Sequence, residues 1–403
     1  MKPIRILEVV EAYAGGARKH VEQILRGLDR RRFDLHLACS VERGGEGEEV
    51  VEGLRAEGCE VEVVPMKRAP SARADCAALG QLTRLMKRGS YDVVHTHAAK
   101  AGFLGRLAAR RARVPAVVHT PHTFPFERAD TRLGWLYRRL ERRAARWADR
   151  IVLVAPSQRE TARRARLCEE EKLLVVENGI RPPEAAPGAL RARYRRELEL
   201  ADEAGAVAFV GRLTPQKDVQ TYLSAVSELR RPRPDVHAFL VGRTDNPRYL
   251  RSLEPRYAPP VWRVVVRDLR PAEPVLWSPS LPIRVLGHRA DAADLVAAFD
   301  AVVLPSRYEG LPYSLLEAMA RGVVPVASDV TGNRDAVEHE RSGLLIEPGD
   351  WRGFARAVAR LLDDAGWRRE LAAAARQRVL THYTEARFLG QMAELYEGLA
   401  AGR

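Results

Sequence analysis

Short apolar, β-branched runs recur along the 403-residue chain with amphipathic stretches between them. The first series reads IRILEVV, FDLHLACS, EVEVVPM, YDVVHTH, AVVHTPH, RIVLVAPS and KLLVVENG, and it ends near Gly179. Near-continuous apolar strands alternating with helices indicate a parallel sheet covered on both faces. The segment RPPEAAPGAL, with Pro182, Pro183 and Pro187, interrupts the pattern and reads as a linker or hinge. A second series follows: VAFVGRL, VHAFLVGR, IRVLGH, FDAVVLPS, VVPVASDV and GLLIEP. The expected fold is therefore α/β, with two doubly wound, Rossmann-like domains and ligands at the carboxyl ends of their strands. The expected boundaries are residues 1–180 for the first domain, 181–200 for the linker and 201–383 for the second domain. Residues 384–403 read as an amphipathic helix packing back on the first domain. The Pro-, Arg- and Trp-rich stretch from Thr244 to Pro282 fits no simple crossover.

Composition narrows the class. Apolar residues make up 46% of the chain, but no run approaches the roughly 18 to 20 needed to cross a bilayer. The N-terminus enters a strand pattern at once, so neither a signal peptide nor a transmembrane anchor is expected. Cys39, Cys59, Cys76 and Cys168 lack CxxC spacing, which argues against a zinc site or a disulfide framework and fits a cytoplasmic location. A net charge of +13 suits an anionic partner without separating nucleic acid, membrane surface and phosphorylated small molecule.

Chemistry concentrates in a few segments. EGLPYSLLEAMARG carries two carboxylates, Glu309 in a loop after an apolar strand and Glu317 two turns into a helix that Pro312 opens. A helix start suits a diphosphate, because its amides carry partial positive charge. VGRLTPQKDV places Gly211 and Arg212 past a strand end and Lys217 in the next turn, so both cations can converge on one phosphate pair. Each feature alone is also compatible with ordinary surface charge or a solvated helix edge.

In the first domain His95, His97, His119 and His122 lie at the ends of adjacent strands. HxH spacing invites a metal-hydrolase reading, but these segments hold only Asp92 and Glu127 as carboxylates, so no metal is expected. His95 and His119 read as structural. Gly15 and Gly16 occupy the turn after the first strand, while Lys100 and His97 are candidates for the acceptor side, where a solvated lysine is an equal alternative. The helix LGWLYRRLERRAARWADR places Leu136, Leu140, Ala144 and Trp147 on one face and Arg138, Arg139, Arg142, Arg143 and Arg146 along the adjoining arc. It reads either as a core stripe with a solvated basic face or as a docking surface for anionic lipid, with Trp135 and Tyr137 nearby.

Taken together, Gly211, Arg212, Lys217, Glu309, Gly310 and Glu317, followed by ASDVTGNRDAV and SGLLIEPGD, resemble the retaining glycosyltransferase family 4 of GT-B architecture. GGARKHV, DVVHTH, HTPHTF and ENGI extend the resemblance over most of the chain. It departs at GRTDNP, where the family has a Gly-Asp-Gly-Pro-like turn. The resemblance implies two domains with a cleft between them and a nucleoside-diphosphate sugar as donor, UDP-linked in preference to GDP or ADP, with no cofactor. It implies that Arg212 and Lys217 bind the diphosphate and that Glu317 meets the ribose. Glu309 and His122 would meet the sugar. Gly15 and Gly16 would approach the donor, Leu311, Tyr313 and Ser314 would offer amides to the phosphates, and Arg289 would lie against the base. The acceptor would be a glycan, a lipid-linked chain or a small molecule, as in bacterial members acting at the inner membrane face. Rival readings are a sugar-nucleotide epimerase or phosphorylase of the same fold. A basic nucleic-acid-binding protein lacks any recognition motif here.

Overall fold

A computed structural model describes residues 2–11, 13–41, 47–67, 69–127, 133–243, 248–249, 253, 263–267, 273–277 and 283–402. The chain divides into two compact units, Met1–Asn178 with Glu385–Arg403, and Gly179–Thr384.

The first unit is built on seven strands: β1 (Ile4–Val10), β2 (Phe33–Cys39), β3 (Glu60–Val63), β4 (Val93–His97), β5 (Ala116–Thr120), β6 (Arg150–Leu153) and β7 (Leu173–Val175). They form one parallel sheet in the order β3-β2-β1-β4-β5-β6-β7. Both faces are buried, which explains the unbroken apolar runs. Ile6 and Val10 of β1 pack on one side with Val21, Ile24, Phe388 and Met392, while Leu7 and Val9 pack on the other with Leu79 and Leu82. Phe388, Met392, Leu395 and Tyr396 repeat at helical spacing, so the helix Glu385–Ala401 lays one apolar face into this core. Each such side chain contributes about 1.5–3 kcal/mol on burial.

The second unit holds β8 (Ala206–Val210), β9 (His237–Val241), β10 (Arg263–Arg267), β11 (Glu273–Trp277), β12 (Ile283–Gly287), β13 (Ala301–Leu304), β14 (Val324–Ser328) and β15 (Leu344–Ile346). Six of them form a parallel sheet in the order β12-β9-β8-β13-β14-β15. β10 and β11 pair antiparallel as a separate ribbon within the Thr244–Pro282 stretch, and the GRTDNP departure, at Thr244–Pro247, lies outside the described residues.

The expected linker at 181–200 needs correction. Residues Pro187–Glu197 form a helix seated in the second unit, where Arg191 pairs with Asp300 at 2.9 Å and Tyr194 donates to Asp291 at 3.1 Å. Pro187 begins this helix, in the position where a missing N–H costs nothing, so the proline that suggested a break is a helix start.

Candidate active site

In each sheet the strand order reverses next to its first strand, between β1 and β4 and between β8 and β13. Crossovers leave such neighbours on opposite sides, which opens a crevice at their carboxyl ends. The candidate residues gather at these two places.

In the second unit Gly211 and Arg212 follow β8, and the turn Pro215–Lys217 comes next. The loop after β13 lies against it: the Arg307 amide donates to the Gln216 carbonyl at 2.9 Å, and Gln216 Nε2 to the Tyr308 carbonyl at 3.1 Å. These bonds bring Lys217 Nζ to 2.5 Å from Glu309 Oε1, with both side chains largely buried. An ammonium has three donors, and among the described residues only this bond to Glu309 engages it. Gly332, at φ 78°, sits so close that a Cβ there would fall 1.5 Å from the Gly310 carbonyl oxygen. Gly242 crowds the Gly211 carbonyl in the same way, at 1.9 Å. The hydroxyls of Thr214 and Ser306, in these two loops, are buried with no partner among the described residues.

Pro312 caps the helix Tyr313–Ala320 at φ −75° and ψ 126° rather than opening it from the first turn, which Tyr313 and Ser314 occupy. Gly310, Leu311 and Tyr313 are buried, Ser314 and Glu317 half-buried, and Arg212 exposed. Arg289 is engaged by Asp291 through two bonds at 2.8 Å and by Glu197 at 2.7 Å. The Asp291 bonds, joined by Glu197, hold its guanidinium above the ordinary arginine range despite burial. Its side chain is thus committed to two carboxylates.

In the first unit Gly15, at φ 62°, and Gly16 form the exposed first turn of the helix Gly15–Gly27, immediately after β1. Lys100 is tied to Asp75 at 2.7 Å and to the Ala69 carbonyl at 2.8 Å. His122 follows β5 with φ 58°, a left-handed conformation that costs a bulky residue about 1–2 kcal/mol. Gln158 secures it, donating to the His122 carbonyl at 2.8 Å while accepting from the Val154 amide at 2.9 Å. His122 is half-buried, with its ring edge-on to His20 and within 26° of the plane of the His97 ring, the two centroids 5.3 Å apart. Burial, then the rings of His20 and His97, hold its imidazole well below the ordinary range.

His97 does not line an acceptor rim. It is fully buried behind His122, 3.2 Å from His122 Nε2 through Nδ1 and 2.6 Å from Glu8 Oε2 through Nε2. Tyr396 donates to Glu8 Oε1 at 2.8 Å and meets His95 Nδ1 at 2.6 Å, and His95 Nε2 meets Thr120 Oγ1 at 2.7 Å. Burial raises the Glu8 carboxyl, but the His95 and His97 rings overcome it and hold the group well below the usual carboxylate range. Burial and His95 push His97 down to about 4 against the pull of Glu8. His119, deep in the sheet, bonds Thr96 at 3.0 Å.

Glu8 supplies the carboxylate that the HxH segments lack, and one donor atom each from Glu8, His95 and His97 lies within 4.8 Å of the others. The 2.6 Å contact between His97 and Glu8 is nevertheless a hydrogen bond. Ligands on a tetrahedral zinc, about 2.0–2.1 Å from the metal, stand about 3.3 Å apart. The signal for Glu8 was its place as the one charged side chain in the buried stretch Ile6–Val10 of IRILEVV. His20 and Gln158 carry no comparable signal, being polar positions on helices.

The Arg-rich helix Gly134–Ala145 also departs from expectation. Its buried face holds Glu141, Ala144 and Ala145, with Glu141 paired to the buried Arg106 at 2.6 Å, whereas Leu140 is exposed.

Comparison with known proteins accords with this geometry. A family model described as a glycosyl transferase 4-like domain matches residues 15–179, and one described as glycosyl transferases group 1 matches residues 204–364. The chain is 30% identical over 341 residues to the Escherichia coli UDP-Gal:alpha-D-GlcNAc-diphosphoundecaprenol alpha-1,3-galactosyltransferase, covering 84% of this chain and 82% of that one. The chain belongs to glycosyltransferase family 4. It is also 30% identical over 377 residues to a D-inositol 3-phosphate glycosyltransferase of Acidothermus cellulolyticus, covering 89% and 80% of the two chains. The GT-B fold is shared with a crystal structure of Anabaena Alr3699/HepE in complex with UDP and glucose, at a TM-score of 0.78 and 20% identity over 98% of this chain and 100% of that one. This glycosyltransferase therefore has its candidate residues at the strand ends where its fold places ligands.

Proposed function

We propose that this glycosyltransferase is a retaining, metal-independent enzyme that moves a sugar from a UDP-linked donor to a hydroxyl of a glycan or lipid-linked acceptor. The observation that carries the reading is the Lys217–Glu309 pair at the β8/β13 crevice, beside the helix Tyr313–Ala320. Lys217, Arg212 and the helix amides supply positive charge for the diphosphate, and Glu317 is assigned to the ribose hydroxyls. The reaction breaks the bond between the anomeric carbon and the diphosphate oxygen and forms one to the acceptor oxygen on the same face. The acceptor proton passes to the departing phosphate, so no protein nucleophile is required. The lipid-linked acceptor named for the Escherichia coli relative supports that acceptor class.

Peripheral attachment to the inner membrane face is part of the proposal. No helix among the described residues is long and apolar enough to cross a bilayer. Trp135 is 60% exposed and stands with exposed Leu133 and Leu140 beside exposed Arg138, Arg139 and Arg143, a composition suited to an anionic lipid surface.

Turnover of UDP-sugars followed by proton NMR tests the reaction. A retaining enzyme gives an α-linked product, or α-sugar first on slow donor hydrolysis. The β-anomer first, or turnover that requires a divalent metal and is abolished by chelation, would overturn it.

A further inference from the structure

The polar chain behind His122 has a direction. Glu8, as a carboxylate, only accepts, so the 2.6 Å contact makes His97 Nε2 the donor. A neutral His97 then has only a lone pair at Nδ1, and the 3.2 Å contact makes His122 Nε2 the donor in its turn. Tyr396 donates its hydroxyl proton to Glu8, leaving its oxygen to accept from His95 Nδ1, and Thr120 completes the circuit at His95 Nε2. The donors from Tyr396 and His97 to Glu8, and from His122 to His97, are thereby assigned. Among the described residues no group bonds His122 Nδ1, and it is not one of the buried unpaired atoms, so it is the open position of the ring.

We propose that Glu8 and Tyr396 are positioning residues that, through His97, fix His122 as the Nε2–H tautomer, so that its Nδ1 lone pair accepts a hydrogen bond from a hydroxyl of the transferred sugar. This rests on the reading that His122 meets the sugar. The consequence is a preference: a neutral acceptor nitrogen favours a donor with a hydroxyl at that position over one bearing a carboxylate, as in a uronic acid. The groups facing His122 are His20 and His97, with Glu8, His95 and Tyr396 behind them. Burial first, then His95, keeps His97 neutral near pH 7, as the chain of donors requires. Burial, reinforced by Glu8, raises the Tyr396 hydroxyl well above its ordinary range, so it remains a donor. Tyr396 lies on the helix Glu385–Ala401, which gives that helix a part in setting the histidine as well as in filling the core.

Long-range proton–nitrogen NMR of the imidazoles in the full chain at pH 7.5 reads the tautomer directly, with His122 assigned by its loss in His122→Gln. Wild type is expected to show His122 as a single Nε2–H tautomer. Glu8→Gln removes the acceptor-only group, so both His122 tautomers become populated, and kcat for sugar transfer falls about 10- to 100-fold with KM little changed. Tyr396→Phe, which removes one oxygen and keeps the core filled, shifts the tautomer in the same direction by less, and it decides the matter if Glu8→Gln does not fold. An Nδ1–H tautomer in wild type, or an unchanged tautomer in both variants, overturns the proposal. If the spectra are as expected but UDP-sugars are not turned over, the positioning network stands and the functional reading falls.

Discussion

Lys217 Nζ stands 2.5 Å from the Glu309 carboxylate although 92 residues separate them in sequence. The pair joins the loops that leave β8 and β13, so it ties these two loops together at the second unit's crevice and fixes the position of a cation there.

Removing one member separates these roles. In Lys217→Ala the buried Glu309 carboxylate loses its countercharge, and stability falls by about 3 kcal/mol. Loss of the cation from the diphosphate lowers kcat by about a hundredfold. Adding Glu309→Gln to Lys217→Ala restores much of the stability but none of the rate. Urea unfolding and single-turnover kinetics of the two single variants and the double variant give both values.

Gly332→Ala is expected to act on the same loop from behind. Its Cβ would fall 1.5 Å from the Gly310 carbonyl oxygen, and φ 78° suits no alanine. Stability drops by about 2–3 kcal/mol. Because the displaced backbone carries Glu309 and Gly310, donor affinity drops with it. Thermal unfolding with and without UDP reads both effects.

Much of this was legible in sequence. Every apolar run in both series became a strand, because buried parallel strands need unbroken apolar stretches and little else in the chain has them. Glu309, Lys217 and Gly211 announced themselves through turns after such runs. What escaped was set by three-dimensional pairing. Glu8 and Tyr396 lie 388 positions apart, and no local pattern joins them. Leu140, expected on the core stripe, is exposed, while its neighbour Glu141 is buried because Arg106 takes it as a partner inside the fold. The prolines near 182–187 suggested a break where one of them starts a helix.

Acid should loosen the first unit. His97 is held at about 4 and His20 at about 3, both below the ordinary value of 6.5, chiefly by burial. Between those values and 6.5 the unfolded chain binds protons that the folded chain refuses. Stability is therefore full above about pH 7 and falls as pH drops from 6.5 toward 4, by on the order of 2 kcal/mol per buried imidazole at pH 5. Glu8, also depressed, adds to the loss below 4.5. Urea midpoints at pH 7.5 and pH 5 measure the slope, which His97→Asn is expected to flatten.

Backbone at His122 gives an independent check. With φ 58°, His122→Asn keeps a residue tolerant of the left-handed region, whereas His122→Val does not. The valine variant is expected to unfold at least about 1 kcal/mol more easily than the asparagine variant. Both lose sugar transfer, because neither supplies the imidazole acceptor. Parallel melts and assays distinguish the two effects.

The most direct test is calorimetric titration of the whole chain with UDP, GDP and ADP, repeated on Glu317→Ala. The proposal expects UDP to bind most tightly and Glu317→Ala to weaken it by about 10- to 100-fold, the worth of a charged hydrogen bond to the ribose. Equal affinity for all three nucleotides, or a Glu317→Ala variant that binds UDP as wild type does, would contradict it.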